Sequence, residues 1–457
     1  MKRNEMRSLM VLAAVAMTGN LHAAEASLLG PGLTPLGGEA AANKDGSIPA
    51  WASEQVLADG WSYGKPRGDF FKFKDEKPKF TIDASNADTY ADRLTPGQRA
   101  LFKQKPDYKM EVYPTHRYCS APDFVLENTK QNVTEGKIAA DGWSLGDAIV
   151  PGIPFPQPKS GLEVLWNSKM RYLGVGIVFP SLWTMLSPRK GADDWIEAES
   201  TQTIYYPSGE KGSRRFSELQ PIEFYTYFAY LSPTALAGQA LSIITYSNKG
   251  NDTFYYFPGQ RRVRRMPSYA YDAPQIGFEN QYTLDEPRMF NGTPDRFDWT
   301  LKGKKEIYVP YSSFGMYDSS VERHQVMTPN GPVSAARRYE LHRVWEVEAT
   351  VKPGVRHVAP KRTYYFDEDS WVIVAAEDYD AQGNLWKVRE SYTIPVAETG
   401  SCDGSAFVQY DLASGRVVYD QGSLGAKPMK WAVESGDNPK LSADFYTPDN
   451  LRAVSAR

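Results

Sequence analysis

The stretch Tyr339-Glu340-Leu341-His342-Arg343-Val344-Trp345-Glu346-Val347-Glu348-Ala349-Thr350 decides the fold class. Tyr339, Leu341, Trp345, Val347 and Ala349 fall on one face, and Glu340, His342, Glu346 and Glu348 on the other. That alternation predicts a half-buried antiparallel strand. Outward from it, two more strands are expected over Lys361 to Phe366 and Trp371 to Glu377. They are joined by Asp367-Glu368-Asp369-Ser370, which reads as an exposed acidic turn. A second turn, Asp378 to Asn384, leads into a strand from Leu385 to Tyr392. Strands joined by short turns form a meander, with no parallel crossover in this half of the chain.

Upstream, strand signals begin near residue 195. Leu241, Ile243 and Thr245 alternate with Ser242, Ile244 and Tyr246, and Thr253 to Phe257 is an aromatic run stopped by Pro258-Gly259. Two helices are announced by capping boxes. Thr95-Pro96-Gly97-Gln98 carries Pro at the first helical position, and Ser160-Gly161-Leu162-Glu163 opens an apolar face of Leu162, Leu165, Trp166 and Met170. A third helical start is expected at Ser232-Pro233, running to about Gly238. The fold class expected is mainly β with packed helices, and the aromatic content of 13% suits sheet surfaces.

At the N-terminus, Lys2, Arg3 and Arg7 precede the apolar run Leu9 to Met17 and small residues through Ala23 and Ala24, the three parts of a secretory signal peptide. The run is shorter than the roughly 20 residues that span a bilayer. The expected organisation is a signal peptide over 1–23, an extended, Pro- and Gly-punctuated segment over 24–90, and one β domain over 91–457. With cleavage near Ala23 and no Cys at the new N-terminus to take a lipid, a soluble periplasmic protein without a lipid anchor is expected. Removal of the signal takes the charged residues from 52 positive and 55 negative to 49 and 54, an acidic balance that argues against nucleic acid as a partner. In an oxidising compartment Cys119 and Cys402 are disulfide candidates; two separate thiols are the alternative. A bridge would close a very long loop, worth on the order of 4–5 kcal/mol in the chain-entropy model.

Several motifs resemble an uncharacterised proteobacterial family whose members are described as outer-membrane lipoprotein-sorting-like proteins. They are Asp252-Thr253-Phe254-Tyr255-Tyr256-Phe257-Pro258-Gly259-Gln260-Arg261-Arg262-Val263-Arg264-Arg265, Met289-Phe290-Asn291-Gly292-Thr293-Pro294-Asp295-Arg296-Phe297-Asp298-Trp299, Tyr339 to Trp345 and Lys361 to Trp371. Leu94 to Gln98, Tyr113 to Arg117 and Gly152 to Pro156 fit as well. The resemblance implies a large relative of the LolA/LolB fold: a strongly curved, half-open antiparallel sheet wrapped over a few helices, with an apolar cavity between. It also implies a lipid or lipoprotein acyl chain as ligand, and an inner-membrane transporter of the resistance-nodulation-division type, or an outer-membrane protein, as partner.

Candidate cavity residues are the aromatics Tyr256, Trp345, Tyr364, Phe366, Trp371 and Trp386, which any sheet core would equally use. Arg262 and Arg264 share one strand face and would meet an anionic headgroup, unless Arg261 to Arg265 is simply a charged edge strand. Asp378, Asp380, Gly383 and Asn384 faintly resemble a calcium loop but lack the later bidentate Glu, so a hairpin turn explains them. Outside the signal, His116, His324, His342 and His357 show no metal-ligand spacing, and no nucleophile elbow or phosphate loop is present. No catalytic residue, metal or cofactor is therefore expected. The leading expectation is a non-enzymatic carrier of a hydrophobic ligand. The alternatives are an envelope hydrolase acting on lipid or polysaccharide, and a scaffold for an envelope transporter.

Overall fold

A computed structural model describes residues 29–266 and 271–455; the expected signal peptide lies outside them. Sixteen strands join one sheet: β1 (Phe80–Ile82), β2 (Met110–Val112), β3 (Gly176–Leu186), β4 (Ile196–Tyr205), β5 (Ile222–Ser232), β6 (Ala240–Tyr246), β7 (Asp252–Phe257), β8 (Arg262–Arg265), β9 (Phe297–Pro310), β10 (Tyr339–Val351), β11 (Lys361–Asp367), β12 (Ile373–Tyr379), β13 (Leu385–Ser391), β14 (Phe407–Asp411), β15 (Val417–Asp420) and β16 (Lys430–Ala432). Two meanders make most of it, β3 to β8 and β9 to β15, with β1 and β2 added beside β10 and β16 beside β3. They meet where Val418 and Tyr419 of β15 pair with Leu186 and Met185 of β3. The sheet is not closed into a barrel. Pairing is antiparallel except for the bridge from Tyr339 to Val112.

Among the described residues, four helices of eight residues or more flank the sheet: α1 (Pro96–Gln104), α2 (Asp123–Glu135), α3 (Gly161–Met170) and α4 (Pro448–Ser455). Both capping signals are used. Thr95 and Gln98 close a complete box, while at α3 the Ser160 hydroxyl caps Glu163 N and the Glu163 carboxylate takes Lys159 N instead. Helix α1 packs on β13, α3 on β9 and β10, and α4 across β6, β7 and β8. None of the helices among the described residues is long and apolar enough to cross a membrane.

Four local expectations need correction. Residues 233–238 form a turn and not a helix, because the chain must reverse there for Ala240 of β6 to pair with Ala229 of β5. Trp371 belongs to the turn before β12, with φ of 60° and its indole donating to Leu36 O at 2.9 Å. The first half of the polar side of β10 is not solvated, since Glu340 and His342 are 0% and 1% exposed, whereas Glu346 and Glu348 are half-buried as expected. The turn Asp367 to Ser370 is likewise buried. The segment that follows residue 29 lies over both. Arg117 donates to Asp369 through two 2.7 Å bonds and to Glu39 O at 2.6 Å, while Arg343 and Lys304 each reach Glu368 at 2.8 Å. Buried charges persist only when paired in this way.

Candidate functional site

Sheet register builds the first wall of a cavity. Gln202 of β4 lies opposite Phe228 of β5, which lies opposite Leu241 of β6. Ile204, Thr226 and Ile243 make the next row, and Phe224 and Thr245 the third. Side chains alternate along a strand, so these rows share one face. The opposite face, with Tyr205, Tyr225, Tyr227 and Ala240, packs against α4 residues such as Leu451. A bulge in β5 adds one more side chain to the cavity. Thr245 pairs with Phe224 and Tyr246 with Ile222, which leaves Glu223 as an extra residue, and both Glu223 and Phe224 line the space.

The second wall is α3, whose Leu165, Ser168 and Lys169 lie one turn apart. The roof is the irregular segment 271–293, contributing Tyr271, Tyr282, Leu284, Arg288 and Phe290 among others. Tyr282 is buried and its hydroxyl donates to Asp420, Lys387 meets Glu286 at 2.6 Å, and Arg362 meets Asp285 at 2.7 Å. Burial alone would raise the Asp285 carboxyl, but Arg362 and His357 hold it well below the usual carboxylate range. Nine non-glycine residues among those described adopt positive φ, and Tyr271, Glu279, Asn280, Arg288 and Met289 put five of them in this roof. Such strain persists only where the surroundings enforce it, and it concentrates at ligand clamps. With its open mouth the cavity has an empty volume of about 1370 Å³.

The two ends of the cavity differ. At the Gln202 end, Gln421 donates to Gln202 at 2.8 Å and Thr184 donates to Asp420 at 2.8 Å, while burial raises the Asp420 carboxyl. At the Phe224 end, Lys169 pairs with Glu223 at 2.9 Å, and Arg171 and Arg288 reach one carboxylate, Asp403, at 2.9 and 2.8 Å. Burial lowers Arg171 by more than Asp403 restores; at Arg288 burial works in the same direction, but Asp403 and Tyr206 together raise it. Both stay protonated, as guanidinium always does in proteins.

The residues named from sequence are placed around this cavity and do not line it. Trp345, Tyr364, Phe366 and Trp371 come together in one core cluster that also holds the cavity residues Leu165, Phe290 and Ile373. The Tyr364 ring lies 5.7 Å from that of Phe290, so the set backs the wall. Tyr256 packs on the α4 side, and the Trp386 indole donates to Asp411 at 3.0 Å. Arg262 and Arg264 are exposed on the edge strand β8 and are not among the residues that line the cavity. Cys119 and Cys402 are bridged, with Cα atoms 5.6 Å apart. Asp380 accepts from Gln382 N and Asn384 N, the bonds of a hairpin turn. Sequence reasoning missed the cavity residues proper, although the alternation Leu241, Ile243, Thr245 and the motif Phe290 to Thr293 were both in view.

A second cluster needs an account. His342, Asp367 and Asp369 place ligand atoms within 4.8 Å of one another, a grouping that a metal ion would accept. His342, however, lies between Glu340 at 3.3 Å and Asp367 at 3.5 Å. Burial works against its charge, but Asp367 and Glu340 raise it to about 9. A protonated imidazole has no lone pair for a metal. The histidine and Arg117 are themselves the cations of this cluster.

An open antiparallel sheet with a roofed apolar cavity is the class of molecule that these features define. The chain belongs to the family described as "Protein of unknown function (DUF1329)", whose model matches residues 81–452. An uncharacterized protein of Pseudomonas aeruginosa is 38% identical, over 98% of this chain and 96% of its own length. Among solved structures, a domain named as a proposed outer membrane lipoprotein-sorting protein of Vibrio parahaemolyticus aligns with TM-score 0.43 and 12% identity, over 64% of this chain and 97% of that one. A DUF1329 family protein of Desulfovibrio piger aligns with TM-score 0.41 and 15% identity, over 64% of this chain and 97% of that one.

Proposed function

We propose that this protein binds a hydrophobic, lipid-like molecule in the cavity under segment 271–293 and carries it unchanged through the periplasm. The observation that carries this reading is the cavity itself, where Leu165, Ile204, Phe224, Phe228, Leu241, Ile243 and Phe290 converge below an open mouth. An apolar molecule entering it gains roughly 25 cal/mol for each Å² of apolar surface removed from water, and a few polar groups at the ends would fix its orientation. Work alongside an envelope transporter is part of the proposal, since a carrier must receive and deliver its cargo. Native mass spectrometry of protein purified from periplasm, followed by solvent extraction, tests it. A co-purifying apolar molecule is expected, and its loss is expected in Phe228→Glu, which places a charge in the wall. A protein that is empty and takes up no fluorescent lipid would overturn the reading.

A further inference from the structure

The Phe224 end of the cavity has an imbalance of charge. Its cations are Lys169, Arg171 and Arg288, and its carboxylates are Glu223 and Asp403. Lys169 and Glu223 neutralise each other, but Arg171 and Arg288 share Asp403, which also accepts from the Trp431 indole at 3.0 Å. Two guanidinium groups therefore share one carboxylate, and among the described residues this mostly buried end carries one positive charge in excess, an arrangement that calls for a counter-ion. The carboxylates are recessed, with Asp403 0% and Glu223 4% exposed at the side chain. Arg171 and Arg288 keep 11% and 12%. The half-buried Tyr206 lines the same end. From there the rows of β4, β5 and β6 run as an apolar track toward Gln202.

We infer that the cavity takes an amphiphile whose head bears a single negative charge, a carboxylate or a phosphodiester, held by Arg171, Arg288 and Tyr206 with its chain along Ile204, Ile243 and Phe228. Guanidinium nitrogens match either oxyanion by paired hydrogen bonds. This inference rests on the carrier reading and gives its ligand a chemical class.

The test uses the full chain, freed of lipid by solvent extraction and loaded with the neutral fluorescent probe N-phenyl-1-naphthylamine. Palmitate, dipalmitoylphosphatidylglycerol and hexadecanol then compete for the cavity. At least one of the anions should displace the probe at a concentration at least tenfold below that needed with hexadecanol. Palmitate alone would identify a free carboxylate, and the phospholipid alone a phosphodiester. In Arg288→Met, Asp403 keeps Arg171 and Trp431, the charges balance, and the preference for the anion over hexadecanol should fall at least fivefold. Tyr206→Phe, which removes only a hydroxyl, should weaken the anion in the same direction. Equal displacement by all three would overturn the inference and leave the carrier reading standing. A probe that never binds would overturn both.

Discussion

Single residues carry more of this fold's polarity than their strand positions foretell. His342 stacks on Tyr311 with ring centroids 3.8 Å apart, and Tyr311 in turn donates to Asp367 at 3.0 Å. Against the pull of burial, Asp367 and Glu340 raise His342 to about 9, well above the value of about 6.5 for a free imidazole. The raised value means that the folded protein holds this proton more tightly than the unfolded chain does. Its stabilisation is therefore complete below about pH 6.5 and is lost as pH rises through about 9, on the order of 3 kcal/mol. Glu340 behaves oppositely. Burial would raise it, but His342 and Arg338 lower it to about 2, so its contribution is present above about pH 4.5 and is lost toward pH 2. Urea unfolding of the wild type between pH 6.5 and 9.5 should show a fall in stability that His342→Gln lacks. Parallel curves for the two proteins would refute that account of the cluster.

Elements differ in how far neighbouring residues announce them. The starts of α1 and α3 were legible because a capping box is complete within four residues, as in Thr95 to Gln98. Helix α2 was not, since Asp123 to Glu135 is rich in Asn, Thr and Val, and Pro122 offers no capping side chain. The β6 alternation was legible, yet nothing local says that Leu241, Ile243 and Thr245 face a cavity while Ala240 and Ile244 meet α4. The buried polar side of β10 was illegible for the same reason, because its cover comes from some 300 residues earlier in the chain. At the opening of α3 the physics is local again. A Cβ built on Gly161 would stand 2.9 Å from the Trp299 backbone carbonyl and 2.7 Å from Val347 Cγ1, contacts that only a shift of the helix relieves. Gly161→Ala should destabilise the protein by about 1–3 kcal/mol in chemical denaturation. It should also weaken probe binding, since α3 carries Leu165 and Lys169 into the cavity. A variant with wild-type stability and binding would show that the helix has room to move.

At the scale of the whole molecule, the N-terminal cover and the sheet are held together from opposite ends of the sequence. Arg67 donates to Glu398 at 2.8 and 2.7 Å, Trp371 to Leu36, and Arg117 to the turn after β11. The bridge Cys119–Cys402 joins the same two regions over a separation of 283 residues. Its sulfur lies 2.8 Å from the Tyr311 hydroxyl, against the buried ionic cluster. Cross-linking so long a loop restricts the unfolded chain by about 5 kcal/mol in the entropy model, and removal of native disulfides commonly costs about 2–5 kcal/mol. The double variant Cys119→Ala/Cys402→Ala should therefore unfold at lower denaturant by that amount. The loss should not be uniform. The cover packs Ile48, Val56 and Phe71 into the core but is tied to the turn after β11 by buried ion pairs, and with few sheet bonds of its own it should open before the sheet. Limited proteolysis of the variant under native conditions should cut first between residues 29 and 118, with the sheet from β3 onward surviving as a fragment. Loss of less than about 1 kcal/mol, or first cuts in β10 to β15, would show that the ion pairs hold the cover without the bridge.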